Sequence, residues 1–199
     1  MPVTQDHIDR AISYPLYRDI IANLLKEDKT TGENQTKELL AYTRLNVQRM
    51  HRLEKQVTIP PEYTEQLKKR RKKEVWLVIT EGWCGDAAQS LPGLQNIATV
   101  SPDISLKILL RDENHDLIDQ YLTNGGRSIP KVICVDAETL EEKWQWGPRP
   151  VPAQALMARL KKDDSFTNEE KAAKLHGWYN KDKAKSLQKE IMELVIKNI

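Results

Sequence analysis

The sequence predicts an α/β fold in which a central sheet is flanked by helices. Residues 75–79, Val-Trp-Leu-Val-Ile, form a short, nearly continuous apolar run rich in β-branched side chains, which is typical of a strand buried on both faces. Similar runs at 104–110 and 131–135 alternate with segments of helical periodicity at 86–99 and 115–122. This alternation indicates a sheet with helices packed on its faces.

Helical periodicity dominates the chain before the first strand. Apolar residues recur at helical spacing between 16 and 25, and the polar, glycine-containing stretch 29–34 ends this helix. A second helix is predicted over about 35–55, where Asn46 interrupts the apolar stripe. A polar residue on a buried face needs a hydrogen-bond partner, and a structural role is favoured over a role in a site. Two prolines at 60–61 suit the start of a third, short helix.

Six consecutive basic residues, 68–73, stand between this third helix and the first strand. Such a cluster could bind nucleic acid or phosphate. Cations at a helix C-terminus also complement the helix dipole, by a few tenths of a kcal/mol each. The interpretation as a solvated helix end is therefore favoured, and nucleic acid is not an expected partner.

The chain after the third strand completes the pattern. Residues 141–145 predict a last hairpin strand, and 152–160 predict a helix that packs back on the sheet. The polar stretch 161–165 separates this region from a helical tail. Apolar residues of the tail have the i, i+4, i+7, i+8 spacing of one helix face: Leu187, Ile191, Leu194 and Val195.

Composition excludes several classes of protein. The chain has 199 residues, of which 39% are hydrophobic and 30% charged, which is typical of a globular protein. No apolar run approaches the roughly 20 residues that span a bilayer. The N-terminus lacks the charged and then apolar segments of a secretory signal, so the cytoplasm is expected.

A net charge of +2 gives no general attraction to nucleic acid. Two separated cysteines and four scattered histidines form no zinc site, so no metal or cofactor is expected.

Three short motifs occur in the order and spacing of a known fold. Residues 83–87, Trp-Cys-Gly-Asp-Ala, follow the first strand and open a helix with Pro92 eight positions after Cys84. Residues 127–133, Arg-Ser-Ile-Pro-Lys-Val-Ile, enter the third strand, and Gly147 follows the last one. Together they resemble the thioredoxin family, with its Trp-Cys-Gly-x-Cys motif, its Ile-Pro turn and a groove glycine. The resemblance implies a cis proline at Pro130 lying against Cys84, with Ile129, Pro130 and Gly147 lining a substrate groove.

The resemblance also implies the domain organisation. A thioredoxin-like domain with a central mixed sheet is expected over residues 72–162. A helical N-terminal extension is expected over 1–71 and a C-terminal helical tail over 163–199. With these additions the sequence looks most like a bacterial branch of thioredoxin-like proteins.

Departures from the family pattern affect the second redox step. Ala87 stands where the family has its second cysteine, and Val78 where many members have a buried aspartate. The resolving thiol and a proton acceptor are therefore both missing. Cys134 lies inside an apolar strand, too far past the turn to bridge to Cys84, and is interpreted as a core residue.

The predicted reactive residue is Cys84. A cysteine at a helix N-terminus can have its pKa lowered to somewhere in about 3.5 to 7.5. The neighbouring charge of Asp86 opposes this, and the loops carrying Arg111 and Arg149 are expected to bring an assisting cation. The alternative, that both arginines pair with nearby carboxylates and order the loops, is favoured. Trp83 is expected either to cover the helix end or, as in the family, to flank the groove.

Two functions remain open. The first is monothiol thiol-disulfide exchange, in which Cys84 forms a mixed disulfide with a protein or a low-molecular-weight thiol and a second molecule resolves it. The second is a non-catalytic binding module, in which the turn at residues 129–130 presents backbone groups to an extended peptide and Cys84 is incidental. The sequence favours the first and leaves the substrate and the oligomeric state open.

Overall fold

The computed structural model describes residues 2–198. Nine helices and four strands follow one another in this range: α1 (Gln5–Arg10), α2 (Tyr14–Lys26), α3 (Lys37–Gln56), α4 (Pro61–Lys68), β1 (Glu74–Thr80), α5 (Gly85–Ala98), β2 (Ile104–Leu110), α6 (His115–Ile118), β3 (Lys131–Asp136), β4 (Glu142–Trp146), α7 (Val151–Lys161), α8 (Asn168–Asp182) and α9 (Lys185–Lys197). A single 3-10 turn, Arg111–Glu113, links β2 to α6.

The four strands form one mixed sheet in the order β2-β1-β3-β4. β1 pairs in parallel with β2 and antiparallel with β3, and β3 pairs antiparallel with β4. β1 is buried along its whole length, which explains its continuous apolar sequence. Beyond the edge strand β2, Ile12 exchanges two backbone hydrogen bonds with Ile108, of 2.9 and 2.7 Å. The architecture is the predicted one, a mixed sheet flanked by helices.

Helices cover both faces of the sheet, and α5 is surrounded by chain from both ends of the sequence. The helix α3 packs on one side of α5, and α9 contacts it on another. Gly93 permits this second contact, because a Cβ there would lie 2.8 Å from a methyl group of Leu187. The N-terminal and C-terminal helices therefore meet around the helix that follows Cys84.

The predicted elements before β1 are confirmed in α2, α3 and α4, and Asn46 has the structural partner that was expected. Its side-chain amide donates to the carbonyl of Gly82 at 3.0 Å. The short helix α1 was not predicted, and α6 ends at Ile118, before the predicted position 122. The C-terminal tail contains two helices, because Lys183 and Ala184 both adopt left-handed backbone conformations and break the helical path.

The basic cluster at 68–73 lies where a helix end meets a strand, as predicted, with α4 ending at Lys68 and β1 starting at Glu74. One of its members is not solvated. Arg70 is 5% exposed, bonds to Glu74 and donates to the backbone carbonyl of Val195 at 3.1 Å. No helix within residues 2–198 is long and apolar enough to cross a membrane.

Candidate active-site cleft

Cys84 caps the N-terminus of α5, directly after β1 and a short turn. The amide of Ala87 donates to its sulfur at 3.4 Å, and its thiol donates to the carbonyl of Ile129 at 3.3 Å. The Ile129–Pro130 peptide bond is cis. Only 7% of Cys84 is exposed, so the sulfur sits at the floor of the site rather than at its surface.

Burial dominates the acidity of this thiol. Desolvation, and after it the negative charge of Asp86, raise the pKa of Cys84 to about 12. Hydrogen bonds from the backbone amides of Ala87 and Asp86, and the charge of Arg149, act in the opposite direction and are outweighed. A helix N-terminus alone therefore does not produce a low thiol pKa here.

The carboxylate of Asp86 is held by two hydrogen-bonding partners. Arg149 donates to one carboxylate oxygen through Nε at 3.1 Å and through Nη2 at 2.5 Å. The hydroxyl of Tyr179, on α8, donates to the other oxygen at 2.7 Å. Burial and this carboxylate raise the pKa of the Tyr179 hydroxyl well above its usual value. Arg149 thus pairs with a carboxylate, as the favoured alternative expected.

Arg111 is likewise paired with a carboxylate. Its guanidinium bonds to Asp112 at 2.8 Å. The same guanidinium lies over the ring of Trp83, with Cζ 4.8 Å from the ring centroid, a cation–π contact. Trp83 and Arg111 therefore form one wall beside the cysteine.

A cleft of about 440 Å³ opens above Cys84. Six predicted site residues line it: Trp83, Cys84, Asp86, Arg111, Ile129 and Arg149. Pro130 and Gly147 are not among the lining residues. Gly147 instead lies beneath the turn with φ +121°, where a Cβ would come within 2.2 Å of the carbonyl oxygen of Pro130. A glycine is therefore required at position 147, because a side chain there would clash with the neighbouring backbone.

A model of the family described as thioredoxin matches residues 32–165 of the chain, well over half of its length. The chain belongs to the thioredoxin family. Among solved structures, a protein of unknown function from Pseudomonas aeruginosa is 19% identical with a TM-score of 0.56, and the match covers 94% of this chain and 99% of the other. An HIV epitope-scaffold is 20% identical with a TM-score of 0.55, and the match covers 94% and 100% of the two chains. These likenesses concern the fold alone. No curated protein matched the sequence.

Compared with the thioredoxin pattern, the positions of both missing groups are filled by closed packing. Ala87 and Val78 have no exposed surface. Cys134 is also fully buried in β3, opposite Trp76 of β1 and Trp144 of β4. Both cysteines are free thiols.

Several residues of this thioredoxin-family cleft were missed by sequence reasoning because they come from distant helices. Arg49 of α3 and His176 of α8 both line it. Gly85 makes the approach of α8 possible, because a Cβ there would lie 2.9 Å from ring atoms of His176. Burial, with the charges of Arg49 and Arg149, lowers the pKa of His176 to about 4, so its ring is neutral at pH 7.

Glu81 is a second missed group, three residues before Cys84. One of its carboxylate oxygens accepts the backbone amide of Asp112 at 3.0 Å, and the other is buried without a hydrogen-bond partner. Burial raises the pKa of Glu81 to about 7. The sequence signal that could have identified Glu81 is a carboxylate directly after a fully buried strand.

Proposed function

We propose that this chain is a binding module on a thioredoxin scaffold, and that the cleft above Cys84 holds an extended peptide segment without chemical reaction. One observation carries the proposal: burial and Asp86 keep the Cys84 thiol protonated at neutral pH, while the cleft above it is open. A protonated thiol in an open cleft supports binding over nucleophilic attack, and one scaffold can host either activity.

The pKa can be converted into an expected rate. A thiol with a pKa of about 12 has roughly one molecule in 100,000 as thiolate at pH 7, compared with roughly 3% for an ordinary thiol of pKa 8.5. A more basic thiolate is a better nucleophile, by about 40-fold over this pKa difference. The net rate is therefore about a hundredfold below that of a free cysteine.

The walls of the cleft suit a peptide. Leu39 and Tyr42 of α3 and Leu175 of α8 contribute apolar and aromatic surface, together with Trp83 and Ile129. Tyr42 is 38% exposed, so a bound segment can reach its ring. Side chains of a bound segment can be buried there while the arginines contact its polar groups.

The test uses peptides selected from a random display library against the wild-type chain in the presence of a reductant. Selected peptides should bind Cys84→Ser as tightly as wild type. Tyr42→Ala should weaken them about tenfold, because a buried aromatic contact is lost. Leu16→Ala, at an exposed apolar residue of α2 outside the cleft, is the matched control and should have no effect. Peptides that require the Cys84 sulfur, or that ignore Tyr42→Ala, would contradict the proposal.

Monothiol exchange is the second candidate, and a different observation favours it: the Cys84 sulfur lines the cleft, accepts a helix N-terminal amide and lies near Arg149, whose charge lowers its pKa. In this reaction the Cys84 thiolate attacks one sulfur of a disulfide, the S–S bond of that disulfide breaks, and the second sulfur leaves as a thiolate that takes a proton from water. With Ala87 in the resolving position, an external thiol must release the adduct.

Small disulfides separate the two candidates. The chain is incubated with 2-hydroxyethyl disulfide at pH 7, and adduct formation is followed by intact mass, with Cys84→Ser as control. Adduct formation as fast as that of free cysteine would establish exchange and overturn the binding-only proposal. A rate about a hundredfold lower is expected. We propose the cytoplasm as the compartment for either activity, because both cysteines are free thiols.

A further inference from the structure

Two arginines of α3 lie at the side of the cleft without an acidic partner. Arg49 and Arg52 are one helical turn apart, and both are half-buried. Arg49 donates to the side-chain oxygen of Asn46 at 2.8 Å, and Arg52 to that of Asn180 at 2.6 Å. Within residues 2–198, no carboxylate lies within ion-pair distance of either guanidinium.

The other arginines at the cleft differ in this respect. Arg111, Arg127 and Arg149 are each paired, and their carboxylate partners are Asp112, Asp119 and Asp86. Asp86, the carboxylate whose charge acts on Arg49, already uses both of its oxygens on Arg149 and Tyr179. Of these five arginines, Arg49 and Arg52 are therefore the two that have no ion-pair partner among the described residues.

A second cleft of about 340 Å³ is built around this pair. It shares Arg49 and His176 with the Cys84 cleft, so the two openings adjoin. Its other lining residues are predominantly polar: Leu45, Gln48, Arg52, Gln89 and Asn180. The side-chain amide of Gln89 lies 3.2 Å from Nδ1 of His176. Because the amide nitrogen can only donate, Nδ1 accepts and the neutral ring keeps its proton on Nε2.

One nitrogen of this arginine pair also lacks a hydrogen-bond partner. Nε of Arg52 is buried and has no hydrogen-bond partner. Burial and the like charge of Arg52 lower the pKa of Arg49, which means that the environment disfavours this charge as it stands. A carboxylate from outside would supply the missing charge and could accept two parallel hydrogen bonds from a guanidinium fork.

We propose that Arg49 and Arg52 form an anion subsite that receives an acidic side chain of the peptide bound in the Cys84 cleft. The inference rests on the proposed binding function and assigns its ligand class, a peptide with an aspartate or glutamate beside the segment that covers Cys84. Specificity comes from the two helices α3 and α8, which lie outside the sheet.

The test measures side-chain Nε–Hε resonances of the arginines by NMR during titration of the full-length chain. The probes are the tripeptides triglutamate, triglutamine and trilysine, with inorganic phosphate as a fourth. Triglutamate should shift the Arg49 and Arg52 resonances in a saturable manner, and the neutral and cationic tripeptides should not. Arg52→Gln should weaken triglutamate binding about tenfold, since a charge-assisted bidentate contact is lost. Arg44→Gln is the matched control, because Arg44 lies on α3, is exposed and pairs with Asp28.

Three results would overturn the inference: equal weakening by Arg44→Gln, triglutamate shifts spread over all arginines, or phosphate binding as tight as triglutamate, which would indicate a general anion site. Arg49→Gln is a second variant that should behave as Arg52→Gln, and its thermal unfolding midpoint checks that the loss of the Asn46 contact leaves the fold intact. If display-selected peptides bind the cleft but contain no excess of acidic residues and ignore Arg52→Gln, only the subsite is wrong. If no selected peptide depends on Tyr42, the binding function itself fails.

Discussion

Each cysteine of this chain lies near a carboxylate that is ion-paired with an arginine. The core cluster consists of Cys134, Glu74 and Arg70, and the cleft cluster consists of Cys84, Asp86 and Arg149. In the core cluster the arginine and the glutamate side chains are 3% and 2% exposed. In the cleft cluster the corresponding values are 21% and 10%. The same three chemical groups thus occur in a closed and in a partly open setting.

The comparison separates the effect of chemistry from the effect of burial. In both clusters desolvation is the largest cause that raises the pKa of the thiol, and the neighbouring carboxylate adds to it. In the core cluster Trp76 also donates to Glu74 at 3.2 Å, which completes a closed network. An arginine beside a cysteine does not by itself make a reactive thiol, because the carboxylate between the two residues largely neutralises the charge of the arginine.

The largest expected effect is the loss of the core cluster. Arg70→Met leaves Glu74 buried without its counter-charge, so the free energy of unfolding should fall by about 3–5 kcal/mol. Urea denaturation at pH 7 measures this change. Lys72→Met, at an exposed position of the same basic segment, is the control and should change stability by less than about 0.5 kcal/mol. Equal effects of the two substitutions would show that the core pair contributes no more than a surface charge.

The next effect separates the two thiols. The rate of Cys84 alkylation by iodoacetamide should rise about tenfold per pH unit, hence about a thousandfold between pH 7 and pH 10, because thiolate forms in proportion to hydroxide below the pKa. Cys134 should remain unmodified until the protein unfolds. Peptide mapping by mass spectrometry measures both rates in one sample. A plateau of the Cys84 rate below pH 9 would contradict a raised pKa and restore monothiol exchange as the leading function.

Glu81, unlike the carboxylates of the two clusters, is buried and has no arginine in ion-pair contact among the described residues. Its pKa is raised from 4.5 to about 7, so the folded protein holds this proton more tightly than the unfolded chain. The resulting stabilisation is complete below about pH 4.5 and is lost as the pH rises to 7, and it amounts to roughly 3 kcal/mol. Relative to wild type, Glu81→Gln should therefore gain roughly this amount between pH 4.5 and pH 8.

Urea denaturation of both proteins across this pH range gives the difference curve for Glu81. The exposed neighbour Glu113 supplies the control substitution, Glu113→Gln, for which the curve should be flat. A flat curve for Glu81→Gln as well would show that Glu81 titrates normally.

The smallest effect tests the carboxylate of the cleft cluster. Asp86→Asn removes a charge that raises the pKa of Cys84 and leaves Arg149 without its partner. The alkylation rate at pH 9 should rise about threefold. A pKa decrease of about one unit is expected from removing a like charge at this range, and it gives about ten times more thiolate that is about threefold less nucleophilic. Asp119→Asn frees Arg127 at the same cleft and is the matched control. A rate that stays unchanged in Asp86→Asn would mean that burial alone protects the thiol.

Local sequence signals were sufficient for the sheet and for the floor of the cleft. β-branched apolar runs identified β1 and β3, because strands buried on both faces have few alternatives for their side chains. The apolar run of the edge strand β2 was also recognised, although that strand is only partly buried. The position of Cys84 at the start of a helix and its proximity to Ile129 were implied by the resemblance to the thioredoxin family. The pairing of Arg149 with Asp86 could be anticipated because a charge in such a site requires a counter-charge.

The remainder depended on tertiary contacts that leave no local pattern. Arg49, His176 and Tyr179 meet the cleft from helices separated from it by tens of residues, and nothing in their own neighbourhoods indicates this. Arg70 is buried although it belongs to a basic run, because it pairs with a buried glutamate four residues later. The break at Lys183 and Ala184 was missed because a left-handed backbone conformation usually selects glycine, and neither of these two residues is a glycine.

Ala87 has a consequence for the evolutionary routes open to this chain. Its methyl group faces an interior with no exposed surface, while its amide already contacts the sulfur of Cys84. A mutation that installs a thiol there would place an additional sulfur atom at a position with no exposed surface, and overpacking at such positions typically costs about 1–3 kcal/mol. A single mutation that produces a dithiol centre would therefore add volume to the buried interior.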